Sequence, residues 1–167
     1  MTTAIAGPTT HTVIESPLGP VTLTGIDGRL TGVFLPGDGR PAATAPHGRR
    51  TAAGLEAAAG QLGDWFAGRR TGFDLAVRLE ADPFTLRVWR LVSQIPHGET
   101  RSYGQLAREL GDVGLARAVG RANGRNPLAV VVPCHRVVGG DGRLVGYAAG
   151  IDAKRWLLDH ERPTLLA

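Results

Sequence analysis

The segment that most constrains the fold runs from Ser102 to Gly124. Ser102-Tyr103-Gly104-Gln105 has the spacing of a capping box, in which a serine hydroxyl and a glutamine three residues on satisfy each other's backbone at a helix start. Leu106, Ala107 and Leu110 supply the inner face of the helix it opens, and Gly111 stops it. After the short turn Asp112-Val113-Gly114, a second helix is predicted from Leu115 to Asn123. Two short helices across a glycine-bounded turn have the pattern of a helix-turn-helix. A third helix precedes them. Asp82-Pro83 is an N-cap followed by proline at the first helical position, and Phe84, Val88, Leu91 and Val92, joined by Trp89, form an apolar stripe. Ile95-Pro96-His97-Gly98 ends it.

The second of the paired helices is notable for what it lacks. Leu115, Ala118, Val119 and Ala122 form an inner face, leaving Ala116, Arg117, Gly120, Arg121 and Gly124 outside, with Arg125 just beyond. A helix that reads bases in the major groove carries long polar side chains at several outward positions. Small residues with interspersed arginines instead allow close approach to a narrow groove, with binding by shape and charge and little sequence preference. The competing reading is an Ala/Gly-rich helix packed on another helix. Charge leans the same way as the groove reading. Residues 1–83 hold 7 Lys+Arg against 8 Asp+Glu, a net −1, whereas residues 84–167 hold 12 against 7, a net +5. Basic surface is the footprint of a phosphate-bearing partner, or the solvated face of an arginine-rich chain.

The first half reads as a small α/β unit. His11–Glu15 is β-prone, Ser16–Pro20 is a turn, and Val21–Gly25 and Leu30–Leu35 flank the hairpin signal Asp27-Gly28. Residues 36–51, rich in Gly, Pro, Ala and Arg, read as a mobile loop. Leu55, Leu62, Trp65 and Phe66 recur at helical spacing between about Thr51 and Ala67. Phe73–Leu79 alternates and reads as a further strand. No chemical constellation is evident in this half.

The chemistry sits in the second half. Cys134 is the only cysteine, so it neither forms an internal disulfide nor builds a cysteine-rich metal site. The apolar run Leu128–Val132 reads as a strand that Pro133 interrupts, and His135 and Arg136 follow at once. Positive charge next to a thiol favours the nucleophilic thiolate. On a regular strand, however, Cys134 and His135 point to opposite faces, so a direct thiol–imidazole bond needs a bend at Pro133 or a bridging water. Asn126, in the turn Gly124–Pro127, is placed to hold that turn by side-chain hydrogen bonds. Val137–Tyr147 reads as strand, glycine-rich turn and a loop ending in an aromatic. Ile151–Glu161 reads as a final amphipathic helix, with Glu161 a candidate to orient an imidazole. The glycine-rich segment lacks the lysine of a phosphate loop, and the five histidines show no ligand spacing, so no metal is expected. No apolar run approaches the ~20 residues of a membrane span. Met1–Gly7 has no signal-peptide pattern, and with one reduced cysteine this points to the cytoplasm.

Pro133-Cys134-His135-Arg136-Val137, preceded by Asn126-Pro127 and followed by Gly146-Tyr147 and a terminal helix with Glu161, resembles the O6-alkylguanine-DNA alkyltransferase family. Gly98–Ala107 and Ala116–Gly120 match that family as well. The resemblance implies an α/β N-terminal ribonuclease-H-like domain over residues 1–80. It implies a mostly α-helical winged-helix domain over 81–167, which binds DNA and accepts the alkyl group. The implied activity flips O6-alkylguanine, and O4-alkylthymine, out of duplex DNA and transfers the alkyl group irreversibly to Cys134, without a cofactor. His135 would be the water-mediated base, Glu161 its orienting partner, and Asn126 the brace of the turn. Tyr103 would crowd the target phosphate, and Arg117 would fill the vacated base position. Ala116, Gly120, Arg121 and Arg125 would complete the minor-groove face. Tyr103, Val137, Tyr147 and Ala148 would line the guanine pocket, with the carbonyls of Cys134 and Val137 reading the exocyclic amine. A monomer is expected. Family members with a structural zinc use N-terminal cysteines, absent here, and position 148 is Ala where some members have Ser or Arg. A lesion sensor on the same scaffold, a winged-helix regulator and a cysteine hydrolase are the rival readings. The retained Cys134 favours transfer over sensing.

Overall fold

The computed structural model describes residues 7–163; the reading of the N-terminal segment falls on Met1–Ala6, outside them. Strands β1 (Thr10–Ile14), β2 (Val21–Ile26) and β3 (Arg29–Phe34) form an antiparallel meander. The β2–β3 link is set by Asp27 and Gly28, both at positive φ (51° and 73°), the backbone a two-residue hairpin requires. The segment read as a mobile loop contains a short helix α1 (Pro41–Thr44) and a strand β4 (Arg49–Arg50). β4 pairs parallel to β1, giving sheet order β3-β2-β1-β4. Helix α2 (Glu56–Phe66) buries Leu62 and Trp65 fully, in one apolar cluster with Val21 and Leu23 of β2 and Leu30 and Val33 of β3.

Residues 73–79 are not a strand. They contribute a single parallel bridge, Leu30 to Val77, at the outer edge of β3. The alternation is real, but only Ala76 and Arg78 find backbone partners there, both on Leu30. Further along the same edge Val33 pairs with Leu128, with Val33 N donating to Pro127 O at 2.8 Å and Ala129 N to Val33 O at 3.3 Å. The sheet edge thereby fixes the turn that leads to Cys134.

The second half is helical. Helix α3 (Pro83–Ser93) starts as its sequence dictates, with the Asp82 carboxylate accepting from Thr85 N (3.1 Å) and Thr85 Oγ1 (2.6 Å). Such a cap contributes about 1 kcal/mol. Strand β5 (Arg101–Ser102) runs into α4 (Tyr103–Glu109), whose capping box between Ser102 and Gln105 is closed in both directions. Gly111, at φ 104°, ends α4. The expected short turn is a 3-10 turn over Val113–Leu115, its start capped by Asp112, and it leads into α5 (Ala116–Gly124). Trp89 Nε1 donates to Ala122 O at 2.8 Å and ties α3 to α5. Strand β6 (Val137–Val138) pairs parallel with β5, and α6 (Ile151–Glu161) closes the chain. One apolar cluster joins both halves, from Val21, Leu23 and Trp65 to Val88, Val119 and Leu157.

Candidate active site

Cys134 is not on a strand. Residues 128–132 fold into a compact loop around the side-chain amide of Asn126. Its Oδ1 accepts from Leu128 N (2.9 Å), and its Nδ2 donates to Val132 O (2.8 Å) and Leu128 O (3.3 Å). Val130 sits at φ 71°, a strained conformation for a β-branched residue that this bonding enforces. Cys134, His135 and Arg136 then form one turn of 3-10 helix. An apolar run shows burial but not hydrogen bonding, and here a single asparagine competes successfully with strand pairing.

The turn separates the side chains differently from a strand. Cys134 is 7% exposed and lines a cavity of about 180 Å³. His135 is fully buried on the other side, its Nε2 2.8 Å from Glu161 Oε1 and its ring edge-on to Trp65. Because Glu161 accepts, Nε2 carries the hydrogen. Nδ1, buried with no partner among the described residues, keeps a free lone pair. Arg136 also turns to Glu161, through Nε (2.9 Å) and Nη2 (2.7 Å), and holds Ile95 O through Nη1. Burial by itself raises the Glu161 carboxyl, but hydrogen bonds from His135 and Arg136 bring it down to about 2.

The cations adjacent to Cys134 in sequence are therefore not the ones that act on its sulfur. Those are Arg40 and Lys154, which with the Asn126 amide and the Tyr147 hydroxyl favour the thiolate. Burial outweighs them and pushes the thiol up, so the resting sulfur is protonated and needs a base.

Of the remaining expected residues, Tyr103, Gly120, Tyr147 and Ala148 line the cavity with Cys134. Tyr103 donates its hydroxyl to Val145 O at 3.1 Å. A side chain at Gly120 would reach the Tyr103 ring at 3.7 Å. Val137 does not line the cavity; it is fully buried and its carbonyl accepts from Lys154 Nζ at 2.6 Å. The Cys134 carbonyl likewise already accepts from Asn123 Nδ2 at 3.2 Å. Arg117 and Arg121 are exposed and Ala116 half-buried on α5. Arg125 is drawn aside to Thr85 Oγ1 at 3.2 Å. Sequence reasoning missed the contribution of the first half. Asp38 and Arg40 line the cavity, paired at 2.6 Å, and Arg40 Nη1 donates to Gly124 O and Asn126 O. Nothing local in a Gly/Pro-rich loop marks a contact to residues 84 and 86 positions away.

Burial is the main cause that lowers the His135 pKa, with Glu161 opposing it. A buried neutral histidine contributes stability that is complete above its unfolded value near 6.5 and is lost as pH falls through the lower folded value. Glu161 adds loss further down, from about 4.5 towards about 2. Thermal midpoints should be flat above about pH 6.5 and fall below it. Absence of any decline between about pH 6.5 and 4.5 would show that His135 is not held neutral.

A buried nucleophile in a cavity beside a helix-turn-helix, backed by a His–Glu pair, defines a DNA-directed group-acceptor protein. The family model for the 6-O-methylguanine DNA methyltransferase DNA-binding domain matches residues 83–163. A methylated-DNA–protein-cysteine methyltransferase of Mycolicibacterium paratuberculosis is 47% identical over 155 residues, 91% of this chain and 92% of that one. The Mycobacterium tuberculosis O6-methylguanine methyltransferase structure is similar at TM-score 0.83 and 44% identity, covering 92% and 93% of the two chains. A structure of M. tuberculosis OGT in complex with DNA matches at TM-score 0.84 and 42% identity, covering 93% and 96%. The chain belongs to the methylated-DNA–protein-cysteine methyltransferase family.

Proposed function

We propose that this protein repairs O6-alkylguanine, and O4-alkylthymine, by flipping the base from duplex DNA and transferring the alkyl group once to Cys134. The observation that carries the reading is the placement of Cys134 in a cavity between α5 and the 145–149 loop, with His135 and Glu161 directly behind it. Extrusion is required because the O6 substituent is out of reach inside a stacked duplex. Tyr103, at the cavity rim, crowds the target phosphate, and exposed Arg117 fills the space left by the base. Ala116, Gly120 and Arg121 form the close-approach face, with Arg125 at its edge, and contact the minor groove with little sequence preference.

The chemistry follows from the protonation states. A water relays the Cys134 proton to the free Nδ1 of His135, and Glu161 balances the imidazolium. The thiolate attacks the alkyl carbon, a C–S bond forms, and the C–O6 bond breaks with its electron pair passing to guanine. Hydrogen-bond donors at the pocket, including the Ala148 backbone N–H, stabilise that charge until guanine regains a proton. No step returns the thioether to a free thiol, so each molecule reacts once. Residues 1–80 are read as a ribonuclease-H-like domain and 81–167 as a winged-helix domain, in a cytoplasmic monomer. Intact-mass measurement after mixing with an O6-methylguanine duplex tests this. One methyl group per molecule, on Cys134, is expected, and multiple turnover or a modification elsewhere would refute it.

A further inference from the structure

Lys154 is the only lysine in the chain, and it is wholly buried. A charged group away from water requires compensation. Among the described residues its partners include no carboxylate. Its Nζ instead donates to three carbonyls, Val137 O at 2.6 Å, Gly146 O at 3.3 Å and Val145 O at 3.4 Å. Two of these belong to the loop that carries Tyr147 and Ala148, and Val145 O also accepts from Tyr103. The third lies three residues beyond Cys134. On α6, Lys154, Leu157 and Glu161 form one buried stripe. Glu161 grips His135 and Arg136, while Lys154 grips Val137, so one helix face holds the reactive turn at both ends.

We propose that Lys154 is a positioning residue of the transfer site. Its ammonium clamps the pocket wall to the Cys134 turn and sets a positive charge behind the sulfur. It touches no substrate, since it does not line the cavity. The groups that act on the thiol are Arg40 from the first half, Lys154 from α6, Tyr147 from the pocket loop, Asn126, and Tyr103 from α4. Arg40 is already paired with Asp38, which leaves Lys154, of these two cations, without a carboxylate partner among the described residues. Burial lowers the Lys154 pKa and a thiolate at Cys134 opposes that shift, so the ammonium supports the thiolate once the thiol has lost its proton. The inference rests on the alkyl-transfer reading for its purpose, but its test separates the two.

Because Cys134 is the only thiol, iodoacetamide reports on it alone, without DNA. In the full-length Lys154→Met variant the pH midpoint of alkylation is expected to rise by about 1 unit, and methyl transfer from an O6-methylguanine duplex to slow at least about tenfold. Lys154→Arg should keep the midpoint near wild type yet slow transfer, because a planar guanidinium fits the three-carbonyl cage poorly. An unchanged midpoint in folded Lys154→Met, matched to wild type by circular dichroism, overturns the proposal. Should that variant fail to fold, Lys154→Gln retains donors for the carbonyls without the charge and is read by the same midpoint. A wild-type protein that takes no methyl group from the duplex would defeat the repair reading, while the iodoacetamide midpoints would still decide the role of Lys154.

Discussion

Replacing Cys134 with Ser is expected to reduce alkyl transfer from a methylated duplex by at least about 1,000-fold while DNA affinity changes little. The two outcomes separate because they depend on different parts of the molecule. Transfer needs a nucleophile that His135 can deprotonate, and a serine hydroxyl is far less acidic than a thiol. In the proposed reading affinity comes from the arginine-bearing outer face of α5, where Arg117 and Arg121 are exposed and outside the cavity. The cavity geometry should survive, since the turn is held by Asn126 and by the main chain rather than by sulfur. Single-turnover transfer of a labelled methyl group, with parallel binding titrations, measures both. Residual transfer within about tenfold of wild type would mean that another group accepts the methyl.

Replacing Glu161 with Ala is expected to destabilise the fold by about 3–5 kcal/mol, because it strands the buried Arg136 without its counter-ion and leaves the Nε2–H of a fully buried, neutral His135 without an acceptor. For a chain of this length that corresponds to a fall in thermal midpoint of about 10 °C or more. Gly98 N also loses its contact with Oε2 at 3.4 Å, so the end of α6 loosens from the segment after α3. Glu161→Gln should be milder in stability, since an amide fills the same space and accepts one hydrogen bond. Transfer should still drop, because an amide cannot balance an imidazolium. Calorimetric or circular-dichroism melts decide the first point. A change in midpoint below about 2 °C for Glu161→Ala would show that the buried cluster contributes little net stability.

The elements most legible in the sequence are those encoded within a few residues. The hairpin at Asp27-Gly28, the Asp82-Pro83 start of α3, the Ser102–Gln105 capping box and the Gly111 stop each carry a local backbone requirement that few side chains meet. The bounds of α6 coincide with the expected Ile151–Glu161. The mixed α/β first half and helical second half, and the cluster of Cys134, His135, Asn126 and Glu161, were also accessible, the latter through the ordered motifs around Cys134.

What sequence alone determined, then, was which residues gather around Cys134 and which segments are helix or hairpin, because capping, turn and motif signals act over short separations. Tertiary structure alone decided how those residues face one another. The run before Cys134 folds as a turn because Asn126 and the edge of β3 bond its backbone. The cations that act on the sulfur are Arg40, from a loop about a hundred residues earlier, and Lys154, from the last helix, rather than the adjacent His135 and Arg136. Val137 gives its carbonyl to Lys154 and stays out of the cavity. Charge–charge and hydrogen-bond energies depend on distance and burial, which sequence neighbours share only by accident of backbone geometry.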